Sequence, residues 1–330
     1  MSRYAADDLL GIDGLLTFQA RRLVCFAATG CSFARAELTL LELCGWSLSD
    51  EAIRHACYKE AEKIRQRLDT DEAMYQPFQQ AAGNTEFQFD AAKVNTIEGW
   101  RDMKLGIFAK REAAEPATPA EWHTRELPKP TARVAFTDIE KSCVFTATVG
   151  EYVERLHIID TSCVDVLADG AEYNWTIAQE QLPGCRQTLD HWHGMEHVGT
   201  AARAVYGEGT LEALAFLEAT RQALLQDGWW GLCEKVGQVL DLPEGEKHRQ
   251  AMEQLLCFFS KQTGRLNYCL QLYKGRPIGS GMVEGACKNV IGKRLKQTKT
   301  PWREENVERM AVLCCLAYSD GMWAQYWTAA

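Results

Sequence analysis

The chain lacks three things that would each have narrowed its class at once: paired Cys-x-x-Cys spacing, an apolar run of membrane-spanning length, and positive charge to match its acids. Its 13 cysteines are odd in number and nowhere spaced as a zinc ribbon. That excludes a complete disulfide framework and predicts reduced thiols packed in the core, the vicinal Cys314 and Cys315 among them. No segment reaches the roughly 20 consecutive apolar residues that a spanning helix needs. Arg3, Asp7 and Asp8 interrupt the start, so no membrane partner and no secretory signal are expected, and the expected location is cytoplasmic. The formal net charge of −9 argues against a uniformly basic nucleic-acid-binding surface. With 330 residues, 46% of them apolar, the chain can bury a large core and exceeds the usual size of a single domain.

Acidic residues are themselves missing from one stretch. Between Gly285 and Arg303 there are none, whereas Lys288, Lys293, Arg294, Lys296, Lys299 and Arg303 all occur there. In an otherwise acidic chain, such a segment predicts a phosphate-contacting surface, with Trp302 beside the cations as a candidate stacking platform for a base.

Three carboxylates stand out by their settings. Asp169 closes the apolar run Cys163–Ala168, which reads as a short buried strand, and Gly170 then lets the chain turn toward a helix. The carboxyl end of a strand is where open α/β sheets bind ligands. Asp90 follows the alternating Phe87 and Phe89, and the later alternation of Met103, Leu105 and Ile107 predicts a hairpin turning near Asn95–Gly99. Glu284 lies on a predicted helix entered through Gly279, Ser280 and Gly281, with Ser280 as its cap and Met282, Ala286, Val290 and Leu295 along one side. The bland alternative for Glu284 is a surface ion pair with Lys288, one turn on. If the fold unites the three acids, they form an all-oxygen cage suited to Mg²⁺.

Four stretches carry a family resemblance: WSLSDEAIRHACYKEA, DAAKVNTIEGWRDMKLGIFAKR, LADGAEYNW with LDHWHGMEH, and GSGMVEGACKNVIGKR. In this order they resemble insertion-sequence transposases of the ISKra family, part of the DDE, RNase H-like group. The resemblance implies an α/β protein with an RNase H-like mixed-sheet core, an N-terminal helical region and an inserted all-helical subdomain. It makes Asp90, Asp169 and Glu284 the catalytic, metal-holding triad, with Asp190 and His193 of a D-x-x-H signature as accessory residues. It also implies two Mg²⁺ ions, replaceable by Mn²⁺, and DNA at transposon ends and target as partner. The protein would be a homodimer or higher oligomer, associated with the nucleoid. Family members often carry a cysteine-bearing segment ahead of the region where this chain begins, so a shortened, transposase-derived DNA-binding regulator is an alternative expectation.

The expected organisation is a helical region over 1–80, the first part of the catalytic core over 81–198, a helical insertion over 199–275, and a C-terminal helical part with the basic segment over 276–330. Within the first, a helix carrying Leu38 and Leu41 ends at Gly45 and a second begins near Ser49, a pattern open to a helix-turn-helix with Arg54, Lys59, Lys63, Arg65 and Arg67 facing phosphate. The proline-bearing stretch 112–130 reads as an extended connection. One motif points to another enzyme class: His193-Gly194-Met195-Glu196-His197 spells the H-x-x-E-H of inverted zinc peptidases, although no third ligand is evident.

Overall fold

The computed structural model describes residues 12, 15–139, 142–296 and 301–328. Three helices come first: α1 (Phe18–Gly30), α2 (Phe33–Cys44) and α3 (Asp50–Thr70). Thr17, Ser32 and Ser49 cap them, each side-chain oxygen accepting from a backbone N–H in the first turn. The core side of α2 is Ala36 and Leu40, while Leu38 and Leu41 are 51% and 46% exposed. The apolar positions of this helix surround it too widely for periodicity alone to fix which side is buried. Along α3, Arg54 pairs with Glu51, Lys63 with Glu60, Arg65 with Glu62 and Glu308, and Arg67 with Asp71. The cations proposed to face phosphate are thus largely neutralised by the chain itself.

The sheet begins with the anticipated hairpin, β1 (Asn84–Thr96) and β2 (Gly99–Arg111), paired antiparallel over their full lengths. β3 (Ala132–Asp138) runs antiparallel to β2 and carries Val134 and Phe136. Helix α4 (Ser142–Arg155) then leads to β4 (Asp165–Ala168), parallel to β1. After α5 (Glu172–Gln181), the four-residue β5 (Arg186–Leu189) adds parallel to β4, giving a five-stranded mixed sheet in the order β3-β2-β1-β4-β5. Stacked rings of Phe87, Phe108, Phe136, Phe145 and Tyr152 join the sheet to α4 on one face. Such aromatic contacts add to the burial of large apolar area.

Helices α6 (His191–Tyr206), α7 (Leu211–Asp227), α8 (Trp229–Leu240) and α9 (Gly245–Ser260) follow β5, then the short α10 (Tyr268–Tyr273). Leu224, Leu225, Leu232, Val236, Val239, Met252, Leu255 and Phe259 form their shared core, as the periodicity predicts, whereas Leu214 is 56% exposed. The chain returns to the sheet through α11 (Gly281–Ala286), which runs into a π-helical stretch, Cys287–Lys296. Helix α12 (Glu304–Tyr318) packs on β3 and α3, and α13 (Met322–Thr328) ends the described chain.

All 13 cysteines are free thiols; Cys25, Cys57, Cys314 and Cys315 are buried, while Cys44, Cys143, Cys163 and Cys257 are exposed. Among the described residues no helix is long and apolar enough to cross a membrane.

Candidate active site

The parallel strands set the site. In β1–β4, Glu86 faces Asp165 and Gln88 faces Leu167; in β4–β5, Asp165 faces Arg186 and Ala168 faces Leu189. Carrying those registers on by a residue or two sets Asp90 beside Asp169, and Asp169 beside Asp190. Adjacent strands lie about 4.8 Å apart, so three aspartates line the carboxyl ends of three neighbouring parallel strands. β1 continues past Asp90 to Thr96 as part of the hairpin, whereas β4 stops, leaving the acids at a step in the sheet.

Each aspartate is held differently. Asp169 Oδ1 accepts from the Ala171 N–H at 3.0 Å and from the buried Asn174 side-chain amide at 2.6 Å. The turn relies on Gly170 at φ +92°, where a Cβ would also come 2.9 Å from Leu189. Asp90 Oδ1 accepts only from the Ala91 N–H, at 2.7 Å. Among the described residues neither Oδ2 accepts a hydrogen bond, and no Lys or Arg pairs with Asp90, Asp169 or Glu284. Burial pushes the Asp90 carboxyl above its ordinary range; the Ala91 N–H opposes the shift and the Asp169 charge adds to it.

Asp190, by contrast, is fully buried and saturated. Its Oδ1 accepts from the Trp192 N–H at 2.7 Å; its Oδ2 takes the Ser280 N–H at 3.1 Å, the Ser280 hydroxyl, and His193 Nδ1 at 3.1 Å. The hydrogen bond to Asp190 raises His193 to about 9, so the ring is an imidazolium at neutral pH. Ser280 therefore does not cap α11 with its side chain. It pins the 279–281 turn to the end of β5, and Gly279 allows it, since a Cβ there would lie 3.0 Å from Trp192.

That tether delivers Glu284. Its carboxylate, Asp190 and His193 offer ligand atoms all within 4.8 Å of one another, a group that could hold a metal ion. Glu284 makes no ion pair with Lys288, so the bland alternative is not what the chain adopts. Cys287 registers the same convergence: its thiol is pushed up to about 12, first by burial, with Asp90 and Glu284 both contributing. Tyr173, raised to about 12 by burial and then by Asp169 and Asp90, stands beside the same carboxylates.

The closest-knit group thus differs from the expected triad, because Asp90, Asp169 and Glu284 do not gather as one set within 4.8 Å. Chemically the two sets are unequal. Asp190 has spent its lone pairs on the chain and an imidazolium repels cations, whereas Asp90 and Asp169 each keep an oxygen open. A two-ion centre also needs a wider cage than a single cation, since its ions stand about 3.5–4 Å apart.

The basic segment divides. Lys288, Lys293, Lys296 and Arg303 are exposed. Arg294 is 2% exposed, donates to the Ala28 carbonyl at 2.7 Å, and lies 4.3 Å from the Phe33 ring centre and 4.9 Å from that of Trp302. The π-helical winding turns Val290, Ile291, Arg294 and Leu295 inward together, so Arg294 is a packing residue and not a phosphate contact. Trp302 is half-buried, its Nε1 donating to the Leu295 carbonyl and its backbone pairing with Asn95 and Ile97, which removes it as a free stacking platform. Lys299 lies outside the described residues.

His197 does not join His193 in a metal group; its ring stacks on Phe258 with centroids 3.6 Å apart, and among the described residues no third ligand completes a zinc-peptidase set. Asn174, Tyr173 and the positioning role of Ser280 escaped the sequence reading, although Asn174, five residues past Asp169, stands where a helical amide can reach back. No protein-family model matches the chain, and comparison with curated proteins gives no match.

Proposed function

We propose that the chain is a divalent-metal-dependent DNA strand-cutting and strand-transferring enzyme, a DDE transposase of the ISKra kind. The observation that carries this reading is the acid cluster: Asp90 and Asp169 neighbours at the strand ends, and Glu284 within ligand reach of Asp190 and His193 on the helix that the Asp190–Ser280 tether holds. The order strand, strand, strand, helix, strand leading to Asp169, with Glu284 on a helix after an inserted helical region, supports the RNase H-like reading of the sheet.

Asp90, Asp169 and Glu284 would hold Mg²⁺, whose hard charge suits carboxylate oxygens. Bound there, it supplies charge neutralisation at a phosphodiester and activation of the attacking oxygen. Asn174 and the Ala171 N–H fix Asp169 in direction, so its free oxygen is presented without reorganisation. Asp190 holds His193 protonated by Nδ1, leaving Nε2 to donate to a phosphate oxygen. No serine, cysteine or tyrosine is needed as a nucleophile, in keeping with thiols such as Cys287 held neutral. DNA ends and target are the substrates in this reading, brought together by a homodimer or higher oligomer.

The test is nicking of supercoiled DNA. Wild-type protein is expected to cut with Mg²⁺ or Mn²⁺ and not with EDTA. Asp169→Asn, which removes charge and keeps shape, should cut on the order of a thousandfold more slowly with an unchanged melting temperature. Cleavage by Asp169→Asn at the wild-type rate would remove the assignment.

A further inference from the structure

The segments that carry Asp90, Asp190 and Glu284 also wall a cavity of about 310 Å³, within the range of small-ligand sites, although the acids themselves do not line it. Its walls come from the same elements: Gln88 on β1, Trp192 between Asp190 and His193, and Met282 ahead of Glu284. The far wall is the 112–130 connection, which contributes Trp122 and Arg125. The two indoles meet with centroids 5.4 Å apart at 58°, and Trp192 remains 49% exposed.

The charge of this cavity is out of balance. Arg111 and Arg125 both line it, yet among the described residues only Arg111 has a carboxylate, Glu86, at 2.7 Å. Arg125 donates through Nη2 to the Arg276 carbonyl at 2.6 Å, and its buried Nη1 has no partner among the described residues. Burial and the neighbouring Arg111 both disfavour its charge. A buried guanidinium nitrogen without an acceptor is costly, and an anion seated against Arg125 could supply one after a small turn of the side chain.

From the exposed indole, the guanidinium with one nitrogen left over and walls that adjoin the acid-bearing segments along the chain, we infer that this cavity captures one unpaired nucleotide of the DNA strand being processed. The base stacks on Trp192 and its phosphate pairs with Arg125. Neither half of the site alone selects a nucleotide; an indole face takes any flat ring, and a guanidinium any anion. Together they match a base joined to a phosphate. The inference rests on the strand-cutting reading for its ligand, and it identifies two contact residues outside both the triad and the basic segment.

The experiment uses a short single-stranded deoxyoligonucleotide carrying one 2-aminopurine, bound in EDTA so that no cutting intervenes. Wild-type protein is expected to quench the 2-aminopurine emission. Trp192→Ala should abolish the quenching and weaken binding about tenfold, with Trp192→Phe recovering part of both. Arg125→Gln should weaken binding similarly while Glu86 keeps Arg111 paired, and fully paired duplex should bind all variants alike. Equal quenching and affinity in wild type and Trp192→Ala, or undiminished binding of an oligonucleotide abasic at the probe position, would overturn the proposal. Metal-dependent cutting without base capture would remove the pocket and keep the function; base capture without cutting by wild type would do the reverse.

Discussion

Two buried acids, Glu60 in the N-terminal helical layer and Asp190 at the end of the sheet, show how the same chemistry serves different ends. Glu60 is 2% exposed and accepts from Arg21 at 3.2 Å, Lys63 at 3.5 Å and the Tyr326 hydroxyl at 2.8 Å. Asp190 is equally well supplied, by Trp192, His193 and Ser280. The difference lies next door. Around Glu60, Arg21 and Tyr326 are themselves packed between α1, α3 and α13, with Lys63 closing the group at the surface. Around Asp190, the neighbours Asp90 and Asp169 keep open oxygens, and the partner His193 keeps a free ring nitrogen. Saturation at one residue there fixes the geometry of others that stay unsatisfied, which is the arrangement a preorganised site requires.

The comparison breaks most sharply on substitution by alanine. Removing one partner of a buried, hydrogen-bonded ionic group costs about 3–5 kcal/mol, so Glu60→Ala and Asp190→Ala should lose similar stability in urea unfolding. Only Asp190→Ala should also lose DNA cutting per folded molecule, because it releases both His193 and the turn that carries Glu284. Asp190→Asn, which keeps the shape, separates folding from positioning. Wild-type cutting by folded Asp190→Asn and Asp190→Ala would mean that the tether positions nothing.

The start of α6 sharpens the contrast through pH. His191 is buried among Trp122, Trp192 and Tyr268, neither ring nitrogen has a partner, and burial lowers it to about 4, with Arg221 adding to the shift. Its folded value lies below the ordinary 6.5, so as pH falls the unfolded chain takes up the proton first. Stability should therefore decline from about pH 6.5 and level off near pH 4. The 2.5-unit difference corresponds to about 3 kcal/mol at 1.36 kcal/mol per unit. His193, raised to about 9, acts in the opposite sense: its contribution is complete below pH 6.5 and is lost as pH rises toward 9. His191→Phe should flatten the acid limb of a stability–pH profile and leave the alkaline limb in place. An acid limb as steep as wild type in that variant would show that His191 does not titrate as its burial demands.

Much of this architecture was legible in advance, and the failures have physical causes. Alternation around Phe87, Phe89, Leu105 and Ile107 gave the hairpin, and the apolar run before Asp169 gave β4. β5 is not legible, because Arg186–Leu189 is four residues long and polar in three of them, and it forms by pairing with β4. Without it, Asp190 reads as part of a helical signature and not as the third aspartate in a row. Its rank as an accessory residue does not register its hydrogen bonds to His193 and to the turn that leads to Glu284. The helix bearing Glu284 was read correctly as to its start. Its continuation in π-helical form was not, since nothing in periodicity distinguishes a π turn from an α turn over a single stretch, and so Arg294 was counted with the surface cations.

That miscount yields the smallest expected effect and a clean division of the basic segment. Replacing Lys288, Lys293 and Lys296 by Gln removes three exposed cations, so the slope of log K against log salt for DNA binding should flatten by about two to three units, at roughly 0.9 per lost phosphate contact. Sequence preference should not change, because phosphate contacts carry none. Arg294→Met removes the same unit charge from a site packed between Phe33 and Trp302, and should leave the slope unaltered. If Arg294→Met flattens the slope as one of the lysines does, the guanidinium leaves its aromatic cage when DNA binds; if the three lysines together leave it unchanged, the phosphate-contacting face of the molecule is elsewhere.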